Sequence, residues 1–277
     1  MPMSEAPSFP LLVVKYGGAA MGDEELAVSW AGDVVQLGRD GWRVVVVHGG
    51  GPALTRTMKR MGIETTFVDG HRVTDADTAE VAEMVLSGTI NKRVVSLLNR
   101  AGGRSLGLSG TDAGLLAVHP YRPGGRDIGF VGAIDSVNVE PLFLLLDNGY
   151  IPVLSSTASD PQGRPMNVNA DSVAGAVAAA LGASRLVFLS DVPGVLVGGQ
   201  LQGLLSASGA VALLASGEAG GGMRPKLEAS LEALAGGVPR VGLVDGRVRH
   251  ILAGEVAAGG GLGTLVVGDG DPILRSL

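Results

Sequence analysis

Short apolar runs alternate along the chain with segments whose apolar residues recur at helical spacing. Residues 11–16 read as a buried strand, and residues 23–40 carry Leu26, Ala27, Trp30, Ala31, Val34 and Val35 on one helical face. Residues 43–47 are almost continuous valine, the mark of a parallel strand covered on both sides. Residues 52–61 can be helical, with Pro52 in the first turn, where proline is tolerated. Thr74-Asp75-Ala76-Asp77 resembles a capping box with Asp at its last position. It opens a helix predicted to run to about Arg100, with Val81, Met84, Val85, Val94, Val95 and Leu98 on one face. Residues 115–121 and 129–134, separated by Pro123-Gly124-Gly125, suggest a hairpin-like excursion. Helices are then expected at 139–148, 169–181 and 225–235, and strands at 151–154, 186–189, 240–244 and 264–267. The alanine-rich helix at 169–181 can pack very closely on a sheet.

This alternation predicts an α/β fold, a three-layer sandwich with a mostly parallel central sheet. The best internal boundary is near Gly182. Residues 1–10 are expected to be a flexible tail, followed by two lobes, 11–182 and 183–277, sharing one continuous sheet.

Composition narrows the chemistry. Of 277 residues 45 are glycine, about twice the roughly 7 % usual share, and no collagen-like period is present. Many tight turns and backbone-lined sites are implied. There is no cysteine, which removes disulfides, thiolate nucleophiles and cysteine-ligated zinc. The four histidines, His48, His71, His119 and His250, lack metal-binding spacing, so no protein metal site is expected. A net charge of −6 argues against a nucleic-acid partner. No membrane segment is expected: residues 192–217 are uncharged, yet Pro193, Gly194, Gly198, Gly199, Gly203 and Gly209 interrupt them repeatedly. Residues 1–10 have no basic region of a signal peptide, which points to the cytoplasm.

Four turns carry the candidate chemistry. Lys15-Tyr16-Gly17-Gly18 ends the first strand, with backbone N–H groups and a cation suited to phosphate. His48-Gly49-Gly50-Gly51-Pro52 ends the second strand and opens a helix, an anion site by geometry. A lipase-like oxyanion loop is the rival reading, but it needs G-x-S-x-G, and Gly107-Leu108-Ser109-Gly110-Thr111 fails at its last position. No Walker motif occurs. Asn167-Val168-Asn169-Ala170-Asp171 precedes the alanine-rich helix; it either caps that helix or, if extended, aims three polar groups one way. Gly220-Gly221-Gly222-Met223-Arg224-Pro225-Lys226 puts a lysine into a helix's first turn, against the dipole, which makes sense beside an anion.

In this order the four turns resemble the amino acid kinase family, over about residues 12–267. Gly70-His71-Arg72-Val73-Thr74-Asp75, Met84-Val85-Leu86-Ser87-Gly88 with Asn91-Lys92, Ser190-Asp191-Val192-Pro193-Gly194-Val195 and Gly263-Thr264 extend the match. Arg72-Val73-Thr74-Asp75 joined to Asn167–Asp171 is similar to the branch that phosphorylates N-acetyl-L-glutamate. The resemblance implies an amino acid kinase-like fold and transfer of the γ-phosphoryl group of ATP to the γ-carboxylate of N-acetyl-L-glutamate, in arginine biosynthesis. That carboxylate is ionised at pH 7, so no general base is needed. It further implies Lys15 and Lys226 at the transferring phosphoryl group, and Asp171 orienting both. Gly50, Gly51, Arg72, Asn167 and Asn169 would hold the acceptor, with Arg72 on its α-carboxylate. Gly17, Gly18, Gly49, Ser190, Asp191, Gly194, Leu196 and Gly222 would hold ATP, with Mg²⁺ kept mainly by the ATP phosphates. The acceptor would bind in the first lobe and the nucleotide in the second.

Two departures touch specificity. Gly110-Thr111-Asp112-Ala113-Gly114 stands where many relatives have Lys-Asp-Gly-Gly, and His71 precedes Arg72 where leucine is commoner. The alternatives are a kinase for carrier-bound α-aminoadipate in lysine biosynthesis and a catalytically inactive nucleotide-binding protein of the same fold. Arginine-inhibited relatives carry a long helix ahead of the first strand. Residues 1–10, with three prolines, are not expected to form it, so a homodimer with little arginine inhibition is expected. His250, Glu255 and Gly261-Leu262-Gly263-Thr264 pull partly the other way.

Overall fold

The computed structural model describes residues 9–68 and 70–275, so most of the tail expected at 1–10 lies outside the described residues. The first half opens with β1 (Leu11–Tyr16), α1 (Glu24–Arg39), β2 (Arg43–His48) and α2 (Gly51–Met61). A two-residue pair, β3 (Phe67–Val68) and β4 (His71–Arg72), leads into α3 (Ala76–Glu83), a π-helical segment (Met84–Ile90) and α4 (Asn91–Arg100). There follow β5 (Ser105–Leu108), β6 (Leu116–Pro120), β7 (Val131–Val137), α5 (Glu140–Asp147), β8 (Ile151–Ser155), β9 (Thr157–Ser159), β10 (Pro165–Val168) and α6 (Ala170–Ala180). The remainder comprises β11 (Arg185–Ser190), β12 (Leu196–Val197), β13 (Gln200–Leu201), β14 (Leu204–Ser206) and α7 (Ala207–Ser216). It closes with α8 (Met223–Ala235), β15 (Arg240–Asp245), α9 (Ile251–Ala257) and β16 (Thr264–Val267).

One eight-stranded sheet runs β14-β16-β15-β11-β1-β2-β8-β5, and only the β15–β16 pair is antiparallel. Strands β1 and β2 are buried on both faces because apolar, mostly β-branched residues occupy odd and even positions alike. Val13, Val45, Val47 and Phe188 pack toward α6 and α8, while Leu12, Val14, Val44 and Val46 pack toward α1, α2 and α4. Two cores on opposite faces make three layers. The expected hairpin is the antiparallel pair β6–β7, extended by β10 and β9 into a second, four-stranded sheet. Among the described residues no helix is long and apolar enough to cross a membrane.

The long helix expected from Thr74 differs in two ways. Its N-cap is Asp75, whose carboxylate accepts from Thr78 N at 2.8 Å, whereas the Thr74 hydroxyl donates to Arg72 O. Its middle is π-helical, and the wider turn rotates later residues relative to a regular helix. Met84, expected on the buried face, stands at the start of this segment and is 59 % exposed, while Leu86 and Ile90 turn inward.

Helices α6 and α8 meet at Gly175. A Cβ there would stand 2.8 Å from Ala229 O and 3.3 Å from Ala229 Cβ, so the two helices approach at a distance that only hydrogen allows. The expected close packing of the alanine-rich helix is thus realised against a second helix as well as the sheet. Gly175→Ala is expected to destabilise the fold by about 1–3 kcal/mol, the scale of overpacking a rigid contact, read as a lowered Tm and urea midpoint.

Candidate active site

Parallel strands bring their carboxyl ends to one edge of the sheet, where ligands bind in open α/β folds. Lys15 is the penultimate residue of β1, and its Nζ stands 2.9 Å from Asp171 Oδ1. Lys226 Nζ donates to the other oxygen, Asp171 Oδ2, at 3.0 Å, and to Gly222 O at 3.3 Å. Asp171 lies in the first turn of α6, where the helix dipole favours an anion. Lys226 lies in the first turn of α8, where the dipole opposes it, and the Asp171 carboxylate offsets that penalty. Burial pushes the Asp171 carboxyl up, but Lys15 and Lys226 outweigh burial and hold it below the usual carboxylate range. Two ammonium groups share one carboxylate, leaving net positive charge in a largely dry place. Gly17 preserves the geometry: a Cβ there would fall 2.9 Å from the Lys15 ammonium.

Two cavities flank this triad. The first, about 260 Å³, is lined by Lys15, Asp171, the triple glycine, Arg72, Asn167 and Asn169. Arg72 is buried and held by neutral acceptors: Thr55 Oγ1 at 2.7 Å, Thr65 Oγ1 at 3.1 Å, Gly51 O at 3.4 Å and Met58 Sδ at 3.5 Å. Its guanidinium also lies over the Phe67 ring, 4.8 Å from the centroid. No carboxylate pairs with it among the described residues, so a buried cation is left for an anionic ligand. Asn167 Nδ2 donates weakly to Thr74 Oγ1 at 3.4 Å. The second cavity, about 430 Å³, is lined by Asp191, Gly194, Leu196, Gly222, Met223 and Lys226. Lys15 and Lys226 therefore sit on opposite sides of the boundary between the cavities, joined by Asp171.

Most of the expected site residues converge here, and three placements add detail. Ser190 lines neither cavity; it is buried at the end of β11, where its hydroxyl donates to Val192 O and accepts from Val192 N, shaping the turn. Gly17, Gly18 and Gly49, expected at the nucleotide, line the first cavity beside Gly50, Gly51 and the Lys15 side of the triad. Asn167, Asn169 and Asp171 do not form one extended row. The strand ends at Val168, Asn169 caps α6 by accepting from Asp171 N at 2.8 Å, and Asp171 is already helical. Cap and site are combined because the same turn that satisfies the helix N-terminus aims Asp171 at the lysines. His250 and Glu255 take other parts: His250 Nδ1 pairs with Asp33 at 2.7 Å, and buried Glu255 accepts from Leu262 N at 2.9 Å.

The sequence marks His48 only as the start of the glycine run and Ser87 only as part of a matching stretch, and it gives no sign of Ser155 and Thr157. His48 is fully buried, with Nδ1 2.9 Å from Gly49 O and Nε2 3.1 Å from Asn91 Nδ2. The Ser87 hydroxyl, on the π-helical segment, lies 2.8 Å from Ser155 Oγ and 2.5 Å from Thr157 Oγ1, tying that segment to the strand ends. A histidine directly before a glycine run was the available signal for the first. The hydroxyl cluster had none, because its members are about seventy residues apart. Among the described residues no group of three or more His, Asp and Glu side chains could hold a metal ion.

Residues 10–245 match the model of the amino acid kinase family. The chain is 48 % identical over 263 residues to an acetylglutamate kinase of Synechococcus sp., covering 94 % of this chain and 87 % of that one. It is 47 % identical over 268 residues to an acetylglutamate kinase of Pelotomaculum thermopropionicum, covering 92 % and 91 % of the two chains. Among solved structures, N-acetylglutamate synthase of Neisseria gonorrhoeae with coenzyme A and N-acetyl-glutamate superposes with a TM-score of 0.82 at 26 % identity, over 93 % of this chain and 59 % of that one. Giardia carbamate kinase, at 16 % identity and a TM-score of 0.68, covers 95 % of this chain and all of its own, and shares the fold.

Burial pulls His48 from its ordinary 6.5 down to about 4; its bond to Gly49 opposes this, and Lys15 and Lys92 push the same way as burial. Between those two values the unfolded chain binds a proton that the folded chain refuses, so acid favours unfolding. This contribution is complete above pH 6.5 and is lost as pH falls toward 4. Tm is expected to drop between pH 7 and pH 5, and the drop is expected to shrink in His48→Asn, as measured by thermal unfolding at both pH values.

Proposed function

The chain belongs to the amino acid kinase family, and from that premise we propose that it is an acetylglutamate kinase. It transfers the γ-phosphoryl group of ATP to the γ-carboxylate of N-acetyl-L-glutamate, giving N-acetyl-L-glutamyl 5-phosphate and ADP, a step of arginine biosynthesis. The observation that carries this reading is the Lys15–Asp171–Lys226 triad set between a cavity holding a buried, carboxylate-free Arg72 and a second, larger cavity. Near-full-length relatives named acetylglutamate kinase support it.

The chemistry is two anions brought together. The acceptor carboxylate is already ionised and attacks phosphorus in line with the departing ADP oxygen, and no proton need be removed. The barrier is charge repulsion and misalignment, which positive groups and oriented N–H donors lower. Lys15, on the acceptor side, and Lys226, on the nucleotide side, neutralise charge on the transferring group. Asp171 keeps both ammonium groups aimed and takes no proton. Arg72 meets the α-carboxylate in a fork that lysine cannot copy. Asn167 and Asn169 bind the acceptor. Gly50 and Gly51 offer N–H groups to its reacting end, while Gly17, Gly18 and Gly49 do so at the phosphates. Asp191, Gly194, Leu196 and Gly222 contact the nucleotide, and Ser190 acts through the turn it fixes. Residues 11–182 then form the acceptor lobe and 183–277 the nucleotide lobe.

Mg²⁺ fits as a phosphate-held ion: both Asp171 oxygens are taken by lysines, and the described residues offer no carboxylate cluster. When bound, it neutralises phosphate charge. A cytoplasmic location belongs to this reading because the reaction consumes ATP. So does a homodimer: among the described residues no strand pairs with the outer edge of β5, which carries the exposed Leu106.

An ATP-dependent hydroxamate assay with N-acetyl-L-glutamate, L-glutamate and L-aspartate tests the proposal. Turnover is expected with the first and strong discrimination against the others; equal use of glutamate, or no turnover, would overturn it. Lys15→Ala, Lys226→Ala and Asp171→Ala should each lower kcat by roughly 10²–10³ with the fold retained by circular dichroism. Arg72→Lys should mainly raise KM for N-acetyl-L-glutamate and leave KM for ATP nearly unchanged, since the lost fork binds ground and transition states alike.

A further inference from the structure

Asn91 is fully buried as the first residue of α4, directly after the π-helical segment. Its Nδ2 lies 2.9 Å from Val153 O and 3.4 Å from Leu108 O, both obligate acceptors, and its Oδ1 lies 3.1 Å from the Lys92 ammonium, an obligate donor. These neighbours fix which end of the amide is nitrogen. The same Nδ2 faces His48 Nε2 at 3.1 Å, so Nε2 must be the bare, accepting nitrogen. The ring proton then sits on Nδ1, where it can donate to Gly49 O at 2.9 Å. Burial keeps the ring neutral, so His48 supplies neither charge nor proton.

The consequence reaches the glycine loop. A trans peptide directs its C=O and N–H to opposite sides. Turning Gly49 O onto the His48 ring therefore turns Gly50 N–H away from it, and both glycines line the cavity that holds Arg72. The π-helical segment packs against the Cα of Gly50: a Cβ there would stand 2.6 Å from Leu86 Cδ2 and 3.3 Å from Ile90 Cγ1. Gly50 N–H itself donates to no protein acceptor among the described residues.

We propose that Asn91 is a positioning residue which, by fixing the Nδ1–H tautomer of His48, aims the Gly50 N–H group at the reacting end of the acceptor. The proposal rests on the kinase reading for its effect on rate, but its structural content does not.

The test joins a spectroscopic and a kinetic measurement on the full chain. With ¹³C,¹⁵N-labelled histidine at pH 7.5, the resonance missing in His48→Asn identifies His48, and its nitrogen shifts report the tautomer. The Nδ1–H tautomer is expected; an Nε2–H tautomer or a cationic ring would overturn the proposal whether or not the chain proves to be a kinase. Asn91→Asp exchanges the donor to Nε2 for an acceptor, so His48 should become protonated at Nε2. The Gly50 amide resonance should then move, and kcat should fall about tenfold or more with a smaller change in KM for ATP. An unchanged tautomer and unchanged kcat would overturn it.

A second pair of variants separates positioning from folding. The Asn side chain places its amide where Nδ1 lies, and Gln reaches where Nε2 lies. His48→Asn is therefore expected to stay within about tenfold of wild-type kcat, and His48→Gln to fall further, by about tenfold again. Equal losses in the two, with equal Tm values, would overturn the assignment.

Discussion

The arrangement depends on burying two lysines against one aspartate. Each charge taken from water carries a penalty of several kcal/mol, and only close pairing with additional hydrogen bonds recovers it. Lys15 comes from a central strand, Asp171 from the first turn of α6 and Lys226 from the first turn of α8. No one of them is stable in that place alone. Three elements far apart in sequence must therefore reach their final packing before any of these charges is satisfied. The surplus positive charge that results serves no purpose for the fold, and it is the feature that an anionic reaction needs.

Arg72 shows the same logic with different partners. Its fork is held by two threonine hydroxyls, a carbonyl and a thioether, which orient the guanidinium without neutralising it. A carboxylate in that shell would have stabilised the empty site and competed with a ligand. His48 completes the pattern from the neutral side. Burial beside Lys15 keeps it uncharged, so it can shape a loop without adding to the local field.

How much of this was legible in the sequence follows the length and chemistry of each element. Strands β1, β2, β11 and β15 announce themselves as continuous apolar runs, and the cost of a cation at a helix start made Lys226 conspicuous. The pairs β3–β4 and β12–β13 are two residues per strand, below any periodic signal. Residues 204–216 hold β14 and α7, but their lack of charge leaves no polar face to give a period. Helix α9 starts after His250 in a left-handed conformation, which no side-chain preference foretells. The π-helical segment is illegible for a deeper reason: Ser87, Gly88 and Thr89 weaken a helix without specifying a wider turn, and that turn is set by what Ser87, Leu86 and Ile90 meet across space. For Asn167–Asp171 the sequence left a helix cap and an extended row both open, because a cap and a strand end look alike in one dimension; the structure takes the cap.

The contact at Gly175 has a consequence for how this sequence can vary. Most tight contacts between side chains leave an evolutionary exit: one partner grows while the other shrinks. Here the nearest obstacle to a new side chain is a main-chain oxygen, Ala229 O, which every amino acid possesses. No substitution at 229 removes it, so relief would require moving α8 itself, and Lys226 travels on α8. Position 175 is thus closed to drift by an atom that no change of its partner's side chain can remove. A site that looks from sequence like one small residue among many alanines should be far less replaceable than its neighbours.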